Sequence, residues 1–154
     1  AEDTRTARAL DVIAGIASTA IAMGRFEDAE RMLRPHLDTI LERAIAKRPL
    51  SDSEKDDPDA LFAGATSYAL QLAQGLQATT WIDWVFRVHT ATGRLMEAET
   101  IEALHSLVRN NKYSRPEFLR AYLQVVNGRS GDYGASERFL LRRLEGLEQV
   151  VTAY

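Results

Sequence analysis

Gly24-Arg25-Phe26-Glu27-Asp28-Ala29-Glu30 and Gly93-Arg94-Leu95-Met96-Glu97-Ala98-Glu99 are the two stretches on which the reading of this chain turns. Laid over each other, they share the Gly, the Arg, the Ala and the final Glu, and both carry an apolar residue two places after the glycine. Upstream of Gly24, the residues Leu10, Ile13, Ile16, Ala17, Ala20 and Ile21 recur at intervals of three and four, which places them on one helical stripe. Downstream, Phe26, Ala29, Leu33, Leu37, Ile40, Leu41 and Ile45 repeat the pattern. Two helices joined at Gly24-Arg25 have room only for an antiparallel hairpin. Pro35 falls inside the second helix, where its missing N–H and its ring predict a kink or a break.

The second stretch sits in the same context. A fourth helix, opened by Thr79 or Thr80, carries Trp81, Ile82, Trp84, Val85, Phe86 and Val88 and is apolar nearly all round, so it is expected to be central. After Gly93 the residues Leu95, Ala98, Ile101, Leu104, Leu107 and Val108 predict a fifth helix, ended by Asn110-Asn111. Between the two corners, Arg48 to Asp59 reads RPLSDSEKDDPD and is expected to be a solvated acidic loop over residues 48–58. Asp57 as cap and Pro58 as first helical residue start a third helix that runs from about Asp59 to Gly75. Gly64 within it suggests a close helix crossing. Ser114 and Glu117 are spaced as a capping box around Pro116 for a sixth helix, which Gly128 closes. A last helix begins near Ala135 and shows Phe139, Leu140, Leu144, Leu147, Val150 and Val151. No run alternates with period two for long enough to make a sheet, so the expected fold class is all-α.

The corners lie 69 residues apart, about twice the 34-residue period of tetratricopeptide repeats, and a poorer third copy begins at Gly131-Asp132-Tyr133. On these residues the chain resembles the tetratricopeptide-repeat family. Gly24, Phe26 and Ala29 match the family's turn glycine, corner aromatic and small crossing residue, and Gly93, Leu95 and Ala98 match with Leu in place of the aromatic. Glycine permits the turn, the apolar residue seals the corner, and alanine lets the helices approach. The resemblance implies one TPR-like domain over residues 1–154, an α-α superhelix of about three to four antiparallel hairpins. It also implies a protein-protein interaction module, an adaptor or regulatory domain that binds a peptide or helix of a partner. In that family the first helix of each hairpin lines the groove, which here puts Asp11, Ser18, Asp83 and Arg87 in groove positions, with Thr90 extending the polar stripe of the fourth helix. The plainer reading of Asp83 and Arg87 is an intrahelical ion pair at four-residue spacing.

Composition narrows the functional classes. With 19 Lys plus Arg against 22 Asp plus Glu the chain carries a formal charge of −3, which gives no overall field for nucleic acid or anionic lipid. Lacking cysteine, the chain has no disulfides, thiolate nucleophiles or Cys-ligated metal. The longest weakly polar stretch, Ala9 to Met23, is too short to span a bilayer. The chain opens Ala-Glu-Asp-Thr without an initiator Met, so a signal peptide is expected to have been removed or never present, or the domain to have been cut from a longer protein. A cytoplasmic location is the simpler expectation, and a monomer is favoured.

His36 and His105 each lie 12 residues after a corner glycine, which suggests equivalent packing roles. No HExxH, Gly-rich phosphate loop or nucleophile elbow is present, so neither metal, cofactor nor catalysis is expected. Arg138, Arg142 and Arg143, with Arg129 nearby, concentrate positive charge in the last helix. They read either as a solvated face paired with Glu137 and Glu145, or as a site for an anionic partner. Trp81 and Trp84 are expected in the core. A small secretion or assembly chaperone of the same architecture, shielding an apolar client segment, is the alternative function; an enzyme or ligand-binding helical domain is the third.

Overall fold

A computed structural model describes residues 2–52 and 56–154, with the backbone alone for residues 2–11. Seven α-helices account for most of these residues, and no strand occurs among them. They are α1 (Glu2–Ala22), α2 (Phe26–Ile45), α3 (Pro58–Leu76), α4 (Thr79–Thr92), α5 (Ala98–Asn111), α6 (Pro116–Asn127) and α7 (Ala135–Thr152), with one turn of 3-10 helix at Ser130–Asp132. All seven were expected from periodicity, and their packing agrees with a helical-repeat fold. The chain forms two compact units, Ala1–Ala78 and Thr79–Tyr154.

In the first unit α1 packs on α2 and α2 on α3. The corner between α1 and α2 closes as a Schellman turn. Gly24 takes a left-handed φ of 76°, its N–H donates to the Ile21 carbonyl at 2.9 Å, and the Arg25 N–H donates to Ala20 at 2.8 Å. Ala29, one helical turn into α2, is fully buried, as a close crossing requires. Pro35 neither ends nor breaks α2, which continues from Phe26 to Ile45; of the kink or N-terminal break expected there, the break does not occur. Two other expectations fail on this unit. Gly64 faces open space, and the close approach is at Gly75, where an added Cβ would run into the Phe26 ring. Gly75 therefore does not end α3: Gln77 does, in the left-handed conformation. The acidic link is tied down at its start, because Arg43 grips both carboxylate oxygens of Asp52 at 2.9 and 2.8 Å and the Pro49 carbonyl at 3.2 Å. At its end Asp57 caps α3 as predicted, accepting the Asp59 N–H at 3.0 Å.

In the second unit α4 packs chiefly on α6, α5 on α7, and α6 on α7, the pattern of two hairpins stacked so that like helices touch. Trp81, Ile82, Trp84, Val85, Phe86 and Val88 are all buried, as the all-round apolarity of α4 predicts. The second corner, however, is not a copy of the first. Gly93 is again left-handed at 69°, but residues 94–97 lie outside any helix and α5 starts only at Ala98. Tyr122 of α6 pins that link, its hydroxyl accepting the Met96 N–H at 2.8 Å and donating to the Arg94 carbonyl at 2.7 Å. Arg129 adds a bond from its guanidinium to the Gly93 carbonyl at 3.1 Å. Met96 thereby becomes the buried residue of the corner while Ala98 is exposed, which corrects the alignment of Ala98 with Ala29. His36 and His105 are consequently not equivalent, since His105 is buried and His36 only partly so. The Ser114 and Glu117 capping box does not form either: Arg115 precedes α6 without a side-chain cap, and Glu117 lies 3.5 Å from the Arg115 Nε. A reach-back bond of that kind appears instead at α7, where the Gly134 N–H donates to Glu137 at 3.1 Å.

Candidate functional site

Two surfaces gather the side chains singled out in the sequence, both in the second unit. The first lies over α4 and α6. Asp83 sits on α4 four residues before Arg87, yet its carboxylate turns away from that arginine. It is buried, accepts the Tyr113 hydroxyl, and accepts an N–H of Arg115 at 2.8 Å. Burial pushes the Asp83 carboxyl above its ordinary value, against the opposing pull of the Tyr113 hydrogen bond and of Arg115. Tyr113 is raised as well, by burial first and then by Asp83, so it stays protonated and keeps donating. The intrahelical Asp83-Arg87 pair is thus replaced by a tertiary one, and Arg87 projects into solvent. Its guanidinium lies 5.9 Å from the centre of the Phe118 ring, with that of Arg115 at 5.4 Å. Thr90 is not available to a ligand through its donor, which goes to the Phe86 carbonyl at 2.7 Å.

The second surface is the outer face of α7. Residues 135, 138, 139 and 142 share one side of a helix by their spacing. Phe139, expected in the core, is 57% exposed. The reason is that Leu141, Leu144, Leu147 and Val151 already form the buried stripe of α7, whose centre lies about a third of a turn round the helix from it. Arg138 and Arg142 flank Phe139 and are exposed, and neither makes an ion pair among the described residues. Arg143 behaves differently, because it pairs with Glu102 of α5 at 2.6 Å rather than with Glu145. A surface depression beside Arg138 and Arg142 is lined by Asn127, Ser130, Ala135 and Leu141.

The two remaining predicted site residues belong to the first unit. The Asp11 side chain lies outside the described residues. Ser18 is committed to a 2.8 Å hydrogen bond with the Tyr68 hydroxyl, which also reaches the Ala14 carbonyl at 3.2 Å and so ties α3 to α1. α1 and the turn that follows it also show a row of exposed apolar side chains at Val12, Ile16 and Met23. Ile16 was expected on the buried stripe, which Ala17 and Ala20 occupy instead.

Sequence reasoning missed Tyr113, Arg115, Phe118 as a ring under two guanidiniums, and the exposure of Phe139. Tyr113 alone left a signal, as an aromatic with a polar tip in an otherwise polar link just after a helix end. Among the described residues no three His, Asp or Glu side chains cluster as metal ligands, and no helix is long and apolar enough to cross a membrane. No family model matches the chain, and no curated protein or solved structure is significantly similar to it.

Proposed function

We propose that the chain is a protein-interaction module built as a tetratricopeptide-like stack of helical hairpins, an adaptor or regulatory domain that holds a segment of a partner protein. The observation that carries this reading is the outer face of α7, where Phe139 stands exposed between two arginines that make no ion pair among the described residues. Aromatic and arginine side chains supply most of the energy of protein interfaces, because a ring buries a large area at low entropic cost and a guanidinium makes directed bonds. The left-handed corner glycines, the buried Ala29 and the pairing of α4 with α6 and of α5 with α7 support the tetratricopeptide-like architecture. Arg87 above Phe118 is the second place on this unit where a partner's carboxylate would find an arginine without an ion pair.

Affinity capture from the source cell followed by mass spectrometry identifies the partner, and the recovered protein is then titrated against Arg87→Glu and Arg142→Glu. At least one substitution weakens binding about tenfold or more while the melting temperature stays at the parent value. Retention of no protein by the folded chain, or full affinity in both variants, refutes the reading. A chaperone function is the second reading, favoured by the exposed row Val12, Ile16 and Met23 along α1 and the turn after it. That reading expects the Ile16→Asp protein to lose protection of its client from aggregation.

A further inference from the structure

We propose that the α7 face formed by Arg138, Phe139 and Arg142 receives an acidic amphipathic helix of the partner, with two carboxylates one turn apart on either side of an apolar residue. This rests on the interaction-module reading and names the chemistry of its partner. Arg138 and Arg142 are four residues apart on α7, so their stems rise about 6 Å along its axis. Aspartates or glutamates four apart on a second helix rise by the same amount, so both charges are met together when the helices lie side by side. Phe139 lies between the arginines and offers its ring to the partner's apolar residue.

The face is not neutralised from within. The Glu102 carboxylate is taken by Arg143, and Glu137 turns its carboxylate to the Gly134 N–H, so neither carboxylate pairs with Arg138 or Arg142. Phosphate backbones would also meet two arginines and a ring, but the surroundings disfavour a polyanion. The chain as a whole is at −3, and Glu145 follows Arg142 by one turn, so a long track of phosphates meets repulsion beyond the two arginines. A short acidic segment needs only the two arginines.

The probe is a fluorescein-labelled, helix-forming synthetic peptide carrying Glu-x-x-Leu-Glu, which keeps both carboxylates and the leucine on one face, with a Lys-x-x-Leu-Lys counterpart and single-stranded oligodeoxythymidine as comparisons. Anisotropy is read on the whole chain at about 0.1 M and about 0.5 M salt. The Glu peptide saturates in the micromolar range, the Lys peptide does not bind, and salt weakens the complex. Arg138→Glu with Arg142→Glu, and separately Phe139→Ala, each reduce affinity about tenfold or more. All three positions are exposed, and unchanged melting curves confirm that the variants fold.

Any of four results overturns the proposal: no saturation by the Glu peptide at about 1 mM, equal binding of the Lys peptide, tighter binding of the oligonucleotide, or indifference to the substitutions. Concentration-dependent dimerisation abolished by Phe139→Ala also overturns it, since the face is then occupied by a second copy. A captured natural partner whose affinity ignores Arg138, Phe139 and Arg142 removes this assignment and leaves the interaction-module reading standing, whereas failure to capture any partner removes both.

Discussion

Acid should unfold this protein through His89. The ring is buried in α4, packs edge-on against Tyr122 with centroids 5.9 Å apart, and has its Nδ1 2.8 Å from the Val85 carbonyl. A carbonyl only accepts, so Nδ1 carries the proton and the neutral ring is the form the fold is built around. Burial holds the His89 pKa down to about 4, with Arg94 adding a smaller push in the same direction and the Val85 bond opposing. The unfolded chain protonates the same ring near 6.5, so between those values the unfolded state binds the extra proton. Stability from this group is complete above pH 6.5 and is lost as pH falls towards about 4.

Linkage over that interval gives about 2.5 kcal/mol lost by about pH 4.5, a large share of the 5–15 kcal/mol typical of a domain. His105 adds a loss of the same sign, its pKa being lowered chiefly by burial against the opposing pull of the bond its Nε2–H donates to the Arg143 carbonyl; a proton added to its buried Nδ1 would find no acceptor. Asp83 opposes both, since a carboxyl raised by burial is relieved as pH falls. Urea unfolding followed by the fluorescence of Trp81 and Trp84, both buried, at about pH 7.5 and about pH 4.5 measures the sum. A His89→Gln protein, destabilised at neutral pH, should lose about 2.5 kcal/mol less than the parent over that interval. Equal losses in parent and variant, or a His89 titration by NMR centred near 6.5, would refute the reasoning.

Gly75→Ala should destabilise the first unit by about 1–2 kcal/mol despite the better helix propensity of alanine, because the new methyl meets the Phe26 ring. Phe26→Ala should abolish that penalty in a double-mutant cycle, and additivity would show that the two do not touch. Ala29→Trp should cost about 1–3 kcal/mol or more in thermal unfolding, whereas Ala98→Trp, at an exposed position, should stay within about 0.5 kcal/mol. Tyr113→Phe should cost about 1–3 kcal/mol in urea unfolding by removing a donor from the buried Asp83 carboxyl; an unchanged midpoint would mean that water replaces it.

The helices were legible because each is announced by local chemistry. Apolar residues at three- and four-residue spacing, Gly24 and Gly93 in left-handed turns, and Asp57 with Pro58 at a helix start are properties of short segments, so the seven helices and the all-α class follow from the chain alone. Burial of the α4 tryptophans was legible for the same reason, since a helix apolar all round has no face to offer water. Which residue a side chain meets across the fold was not. Asp83 stands four residues from Arg87 and pairs with Arg115, thirty-two residues away, because Tyr113 and Arg115 reach it from a link whose path is set by the packing of α6 on α4. Ala98 repeats Ala29 in sequence and not in burial, because Tyr122 and Arg129 hold the link that follows Gly93 in a non-helical path, so α5 starts only at Ala98. Phe139 reads as core and stands in solvent, because the four leucine and valine positions of α7 already fill the stripe that faces α5 and α6. Periodicity decides which segments are helices and roughly which face is apolar; the choice among apolar residues, and the partner of every charge, comes only from long-range packing.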